Sequence, residues 1–417
     1  MNQTIRKRIE DINNGIVPEG YKQTPFGIFP CDWGKKELLS FCSCITKGTT
    51  PKTFADNGIK FVKVESIKDV YVENDWCSFI DESTHQGFLA RSILEANDIL
   101  FTIAGATIGK CAIVRECNLP ANTNQALSII RLKDKKLKWY IFSQLRGIAM
   151  KRYVKDCISV GAQPNISLEQ LGKFSFYSCI LKEENIKIAE ILMKWDEAVE
   201  LQEQYIQKLE LRKKSIMKKL LTPKDGWKSV KLGDMAEMYA GGTPSTKNLE
   251  YWGGDIPWIQ SGLIQNNYIE IKDINGRITE KGLKNSSTAW IEKDSVLVAI
   301  TGATCANIAY LKCKATANQS VISITTNKIN SCFLYFYMQN ARNELLALQN
   351  GSAQGGLTLK YLQNFEIQYP ENQEQEKISQ ILFMVDEEIS LQKEKLAKIK
   401  EQRKAMQQYL LTGIVRV

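Results

Sequence analysis

Apolar positions along the chain follow two regimes that alternate and then repeat. Short apolar runs at 60–64, 99–103 and 126–130 are punctuated by Gly, Pro, Asn and Thr, which predicts strands joined by turns. The stretches 136–153 and 331–348 carry apolar residues at helical spacing and predict amphipathic helices. A different pattern then takes over. Ile188, Leu192, Trp195, Val199, Ile206, Leu209, Ile216 and Leu220 follow steps of four and three, broken only by Gln202 and Lys213. Ile378, Leu382, Val385, Ile389, Leu396, Ile399, Met406 and Leu410 follow the same steps, with polar breaks at the matching positions Gln392 and Arg403. Each is a heptad seam sustained over more than four heptads, the mark of a long helix that packs on another helix. The matched seams predict that the two helices pack on each other, antiparallel. The plainer alternative is two surface helices, each laid on its own domain. Polar residues on a seam fix register and partner at some cost in stability. Thr222-Pro223 and Thr412-Gly413 are stop signals, and Glu197, Glu200, Glu203 and Glu210 read as a solvated face.

Other landmarks repeat as well. Trp33 is answered by Trp227, Gly48-Thr49-Thr50-Pro51 by Gly241-Gly242-Thr243-Pro244, and Gly105-Ala106-Thr107 by Gly302-Ala303-Thr304. Asn124-Gln125 is answered by Asn318-Gln319, and Gly161-Ala162-Gln163 by Ser352-Ala353-Gln354. With the helices, the offsets between partners stay within 190 to 197 residues. A period that long excludes a solenoid and points to a duplicated module with pseudo-twofold organisation. The expected layout is a mixed head over 1–182, a helix over 183–222, a second head over 223–372 and a second helix over 373–417. The fold class is α+β.

Head, long helix, head, long helix, with these landmarks, resembles the specificity subunits of type I restriction–modification systems. The resemblance spans almost the whole chain. It implies that the heads are target-recognition domains and that the helices are spacers forming an antiparallel coiled coil. It also implies a non-catalytic, sequence-specific DNA-binding subunit whose partners are double-stranded DNA, two methyltransferase subunits and two restriction/translocase subunits. S-adenosylmethionine, ATP and Mg would then be bound only by those partners, with no cofactor in this chain. The expected target is split and non-palindromic, one half-site per head. A helix of about 40 residues, roughly 60 Å long, is the natural ruler between the half-sites.

The sequence chemistry suits that picture. Among 417 residues, Lys and Arg number 55 against 46 acids, a net charge of +9 that favours an anionic partner. Eleven cysteines without a Cys-x-x-Cys pair read as reduced thiols. The polar start reads as no signal peptide. The longest apolar run, 296–311, is shorter than the roughly 20 residues of a bilayer span. The expected location is cytoplasmic, away from membranes.

Enzymatic chemistry is poorly supplied. His85 is the sole histidine, which leaves little for a histidine triad or metal site. No Asn-Pro-Pro-aromatic or Asp-Pro-Pro-aromatic motif is present. Gly105 to Lys110 mimics a phosphate loop, but its glycines stand one residue too close and Cys111 replaces the required Ser or Thr. A methyltransferase or nuclease carrying its own recognition domains, the competing reading, has no spare domain for a cofactor.

Candidate DNA contacts follow from side-chain chemistry. Thr49, Thr50 and Lys52, with Thr243, Ser245 and Lys247, offer hydroxyls and cations in flexible loops suited to phosphates; ordinary turns are the alternative. Thr107 and Lys110, and Thr304 in the second copy, lie on turns that could approach a phosphate or simply end a strand. The second copy has Ala306 and Asn307 in place of Gly109 and Lys110, so a role for those two stays with the first head. Gln125, Gln163, Gln319 and Gln354 could read adenine. Their recurrence in both heads instead suggests a scaffold, because residues that discriminate half-sites should differ. Lys151 and Arg152 are further phosphate candidates, while Trp139, Tyr140, Trp252 and Trp258 read mostly as core.

Overall fold

The computed structural model describes residues 3–158, 164–349 and 356–417. Its contacts gather into two units. Unit one is Met1–Glu203 with Glu394–Val417, and unit two is Gln204–Lys393. Both boundaries fall inside long helices, so each unit holds one mixed head and half of each helix.

In unit one, four antiparallel strands run in the order Cys42–Lys47, Leu127–Leu132, Ile99–Thr102, Cys111–Ile113. Ile99 to Thr102 and Leu127 to Ile130 are all buried, as continuous apolar strands covered on both faces must be. A smaller sheet sets Ile59–Val62 antiparallel to Ser78–Ile80 and parallel to Ala121–Thr123. Trp33–Glu37 pairs with Ser175–Cys179, closing the start of the head onto its end. Unit two repeats the plan. Its main sheet has the order Glu237–Ala240, Val321–Thr325, Val296–Ala299, Ile308–Leu311, Asn267–Ile269. Lys228–Lys231 pairs with Glu366–Tyr369 as Trp33–Glu37 does with Ser175–Cys179.

The helices expected over 136–153 and 331–348 are each divided. The first becomes Lys138–Arg146 and Ile148–Cys157, separated by Gly147 in an extended conformation. The second becomes Ser331–Asn340 and Arg342–Gln349. Their leading segments are buried nearly all round: every residue from Trp139 to Leu145 is buried, as are Phe333 to Phe336. They are core helices because a long helix covers the side turned away from the sheet. Gln407 of the second long helix donates to the Ser143 carbonyl at 2.7 Å.

The long helices are Lys182–Leu221 and Asn372–Leu411, 40 residues each. In unit one, residues 182–203 lie antiparallel to 394–411, with Asp196–Arg403 at 2.8 Å and Glu203–Lys400 at 2.6 Å. In unit two, Lys213–Asp386 at 2.6 Å and Glu210–Lys393 at 2.7 Å mark the same antiparallel sense. Glu203 and Glu210, expected on a solvated face, are therefore cross-helix partners. The two polar breaks Lys213 and Arg403 are the cations of the other two pairs. Ile188, Leu192, Val199, Ile206, Leu209, Ile378, Leu382, Ile389 and Leu410 are buried. Trp195, Ile216, Leu220, Val385, Leu396, Ile399 and Met406 are only half-buried. Near the helix ends the buried face moves on by one residue, to Met217 and Leu221 and to Gln407 and Leu411. A helix of 3.6 residues per turn drifts against a seven-residue repeat by about 20° per heptad, which accounts for the shift. Packing on the partner helix and packing on the head thus coexist. Ile188, Leu192, Leu410 and Leu411 belong to the core of the first head, and Met217, Leu221, Ile378 and Leu382 to that of the second.

Among the described residues no helix is long and apolar enough to cross a membrane. All eleven cysteines are free thiols.

Candidate nucleic-acid interface

One end of each main sheet gathers the repeated landmarks. In unit one, Gly48 N–H donates to the Leu127 carbonyl, Thr49 N–H to that of Thr123 and Ile103 N–H to that of Ala126. The Gly-Thr-Thr-Pro loop, the Asn-Gln turn and the strand leading to Gly105 therefore leave the sheet side by side. Asn124 Oδ1 accepts from the Ala126 amide at 3.1 Å, shaping the turn that exposes Gln125. Thr50 Oγ1 donates to Gln125 Oε1. Unit two repeats every part of this. Asn318 Oδ1 accepts from the Ser320 amide at 3.1 Å, and Thr243 Oγ1 donates to the exposed Gln319. The first loop glycine is a close-approach residue in both. A Cβ on Gly48 would lie 1.8 Å from the Thr123 oxygen, and one on Gly241 would lie 2.3 Å from that of Asn318.

The second repeated feature is the Gly-Ala-Thr turn. Gly105 and Gly109 have φ of +91° and +92°. Lys110 N–H donates to the Thr107 carbonyl, and the Lys110 side chain is exposed. In unit two, Ala306 keeps the left-handed conformation with φ of 60° although it carries a Cβ. Asn307 is buried. It donates to the Ile264 carbonyl at 3.2 Å and accepts from Arg342 Nε at 3.1 Å. Thr304 is half-buried, and its carbonyl accepts from the Asn307 amide. A solvent-facing cation of the first turn is thus a structural amide in the second.

The remaining sequence candidates scatter. Lys52, Ser245 and Lys247 are exposed beyond the loops, and the Ser245 carbonyl accepts from Trp252 Nε1 at 3.2 Å. Lys151 shares a hollow of about 500 Å³ with Lys68, Lys110 and Arg146. Lys151 and Arg152 also border a cleft of about 920 Å³, walled by Phe26 and Phe176 of the head and by Arg403 and Lys404 of the second long helix. Gln163 and Gln354 lie outside the described residues. Chain just beyond them meets the Gly-Ala-Thr turns: Gly105 N–H donates to the Pro164 carbonyl, and Leu357 N–H to that of Ile300.

Two carboxylates that recur between the long helices, with no role evident from sequence, join head to helices. Asp196 contacts Arg403 at 2.8 Å and stands 4.0 Å from Arg146 of the head. Burial pushes its carboxyl above the usual range, against the pull of both cations. Asp386 contacts Lys213 at 2.6 Å and accepts from the Tyr268 hydroxyl at 3.2 Å. Asp196-Glu197 recurs as Asp386-Glu387, 190 positions on, but the recurrence alone does not say which carboxylate is buried. A further cluster, Asp32, Cys179 and Glu184, sits near the chain's end. Its carboxylates are engaged by Arg416, which contacts Asp32 at 2.8 Å and Glu184 at 2.6 Å.

The profile of a family described as "Type I restriction modification DNA specificity domain" matches residues 30–211 and again 224–401. The chain belongs to this family. Each match takes in one head and most of one long helix, as the internal repeat requires. The MjaX type I restriction enzyme specificity subunit of Methanocaldococcus jannaschii is 25% identical over 96% of this chain and 97% of its own length. The MjaIX specificity subunit of the same organism is 35% identical over 41% of this chain and 40% of its own length. In fold, the chain is similar to the S subunit of a type I system from M. genitalium. The TM-score is 0.58 at 16% identity, covering 91% of this chain and 96% of the other.

Proposed function

We propose that this specificity subunit reads a split, non-palindromic DNA target, one half-site per unit, and that its paired helices carry two methyltransferase and two restriction subunits. As a family member it is the DNA-recognition component of a type I restriction–modification enzyme, not a catalytic one. The observation that carries the finer reading is the twice-built rim. Thr50 with Gln125 and Thr243 with Gln319 form one frame, set in surroundings that differ between units. A shared frame suits sequence-independent contact with the sugar–phosphate backbone, and differing surroundings suit different bases.

In this reading Thr50, Lys52, Thr243, Ser245 and Lys247 approach phosphates, and Lys110 adds a backbone contact in the first unit only. Lys151 and Arg152 sit beside the helix pair, where they suit a protein partner as well as a phosphate. S-adenosylmethionine, ATP and Mg are bound by the partner subunits. Exchanging residues 227–369 for the corresponding head of a relative tests this. The methylated motif in host DNA should change in one half-site and keep its other half-site and its spacing. A continuous motif, or a change in both half-sites, would overturn the reading.

A further inference from the structure

The two rims share a frame, and their sharpest difference lies at the residue after the close-packed loop glycine. In unit one it is Thr49, whose hydroxyl accepts from Arg91 Nη2 at 3.0 Å. In unit two the same position is Gly242. The correspondence is fixed by the backbone, because Thr49 N–H donates to the Thr123 carbonyl and Gly242 N–H to that of Ala317, its counterpart in the repeat. The Arg91 position is fixed the same way. Leu94 N–H donates to the Ala121 carbonyl and Ile291 N–H to that of Ala315. Three residues before each stand Arg91 and Thr288. Thr288 is buried, and its backbone crowds Gly242 so closely that a Cβ there would lie 2.5 Å from the Thr288 nitrogen. Unit one therefore presents an arginine where unit two packs backbone on backbone.

Arg91 is exposed, yet its base is rigidly held. It occupies the short turn Ala90–Ser92. Asn122, fully buried, donates to the Leu89 carbonyl at 2.9 Å and to Ser92 Oγ at 3.3 Å, and its Oδ1 meets the ring Nδ1 of the buried His85. The chain's only histidine thus helps fix this turn. Thr49 then restrains the guanidinium itself and leaves most of its five donors for another partner. Through Thr49 and Thr50, Arg91 is continuous with Gln125 on the rim.

We propose that Arg91 is a base-reading residue of the first unit, presenting its guanidinium to the O6 and N7 acceptors of a guanine, with Thr49 as its positioning partner. The second unit reads its half-site without a counterpart. A phosphate contact needs only charge and reach. A guanidinium held at both ends matches the demand of paired hydrogen bonds to one base edge. Arg91 also meets the requirement that a discriminating residue differ between the heads. The proposal rests on the DNA-recognition reading above.

The test selects bound sequences from randomised duplex DNA with the full-length chain, its Arg91→Ala and Arg91→Lys variants, and Thr49→Val. The unmodified chain should select a split motif; failure there overturns the recognition reading itself. Arg91→Ala should make one guanine of a single half-site degenerate, with about 5- to 150-fold weaker binding to the original site. Arg91→Lys should blur the same position less, and Thr49→Val should act at that position alone. Uniformly weaker binding with an unchanged motif would make Arg91 a phosphate contact and overturn the proposal. Blurring of both half-sites, or loss of selection in both Arg91 variants, would assign it a structural role and overturn it equally.

Discussion

Arg403 of the second long helix meets Asp196 of the first at 2.8 Å, and Arg146 of the head stands 4.0 Å from the same carboxylate. Three elements of unit one thus converge on one buried anion. Removing the anion leaves Arg403, whose side chain is only 13% exposed, as an uncompensated cation. Asp196→Ala should therefore destabilise unit one by on the order of 3 kcal/mol. Replacing both Asp196 and Arg403 with Leu should cost less than either change alone, because no buried charge is then orphaned. Urea denaturation of the unmodified chain, the two single Leu variants and the double variant gives the coupling directly, and additive costs would contradict the joint described here.

Lys110 and Asn307 occupy the same place in the two Gly-Ala-Thr turns but face solvent and core respectively. Lys110→Ala should weaken DNA binding similarly for all sequences and flatten the salt dependence of log affinity by about one unit. Asn307→Ala should leave that slope alone and lower thermal stability, since it removes the hydrogen bonds to Ile264 and Arg342. Binding titrations from low to moderate salt separate the two outcomes.

Arg416 secures the end of the chain to Asp32 and Glu184. Its hydrogen bonds hold the Asp32 carboxyl below the usual range, and against the opposing effect of burial they lower that of Glu184 too. A carboxylate with a depressed folded-state value adds stability above its unfolded value and loses it as pH falls through the folded one. Arg416→Met should accordingly cost on the order of 2 kcal/mol at neutral pH, a figure discounted for the exposure of Asp32. The difference from the unmodified chain should shrink below the ordinary carboxylate range, about pH 4. Denaturation midpoints at pH 7 and pH 3 check the sign; an equal difference at both would rule it out.

A test of the proposed ruler has to extend both helices. Because Glu210 pairs with Lys393 and Glu203 with Lys400, four extra residues after Leu209 alone would break the register. A matching insertion after Lys393, opposite the one after Leu209, should preserve it and lengthen each helix by roughly 6 Å. Methylome sequencing should then show both half-sites intact and the spacer longer by about one or two base pairs at ~3.4 Å each.

The long helices were legible because a heptad pattern is a one-dimensional signal: Leu192 and Leu382 announce a buried stripe without knowledge of what covers it. The buried strands at 99–103 and 126–130 were legible for the same reason. Gly147 as a helix break was not, since an isolated glycine in a helical pattern is ambiguous. The ion pairs were hidden for a different reason. Asp196 and Arg403 are more than two hundred positions apart, and nothing near Asp196 distinguishes it from the neighbouring Glu197, which faces solvent. Arg91 was missed because the sequence around it does not repeat, although its backbone position does. Repetition revealed the frame and concealed what the frame presents.

The helix pairs carry one asymmetry. Asp196–Arg403 recurs 190 positions on as Asp386–Lys213 with its charges kept, whereas Glu203–Lys400 recurs as Lys393–Glu210 with them exchanged. Were the first helix to lie antiparallel on a copy of itself in this register, Glu203 would face Glu210 twice; the second helix would set Lys393 against Lys400 twice. Each such clash at an exposed position is worth only about 0.2–1 kcal/mol, but the attractions lost add to the repulsions gained. A duplicated gene product runs the standing hazard of mistaking one of its halves for the other. In this chain, two glutamates and two lysines bias each half toward its complement.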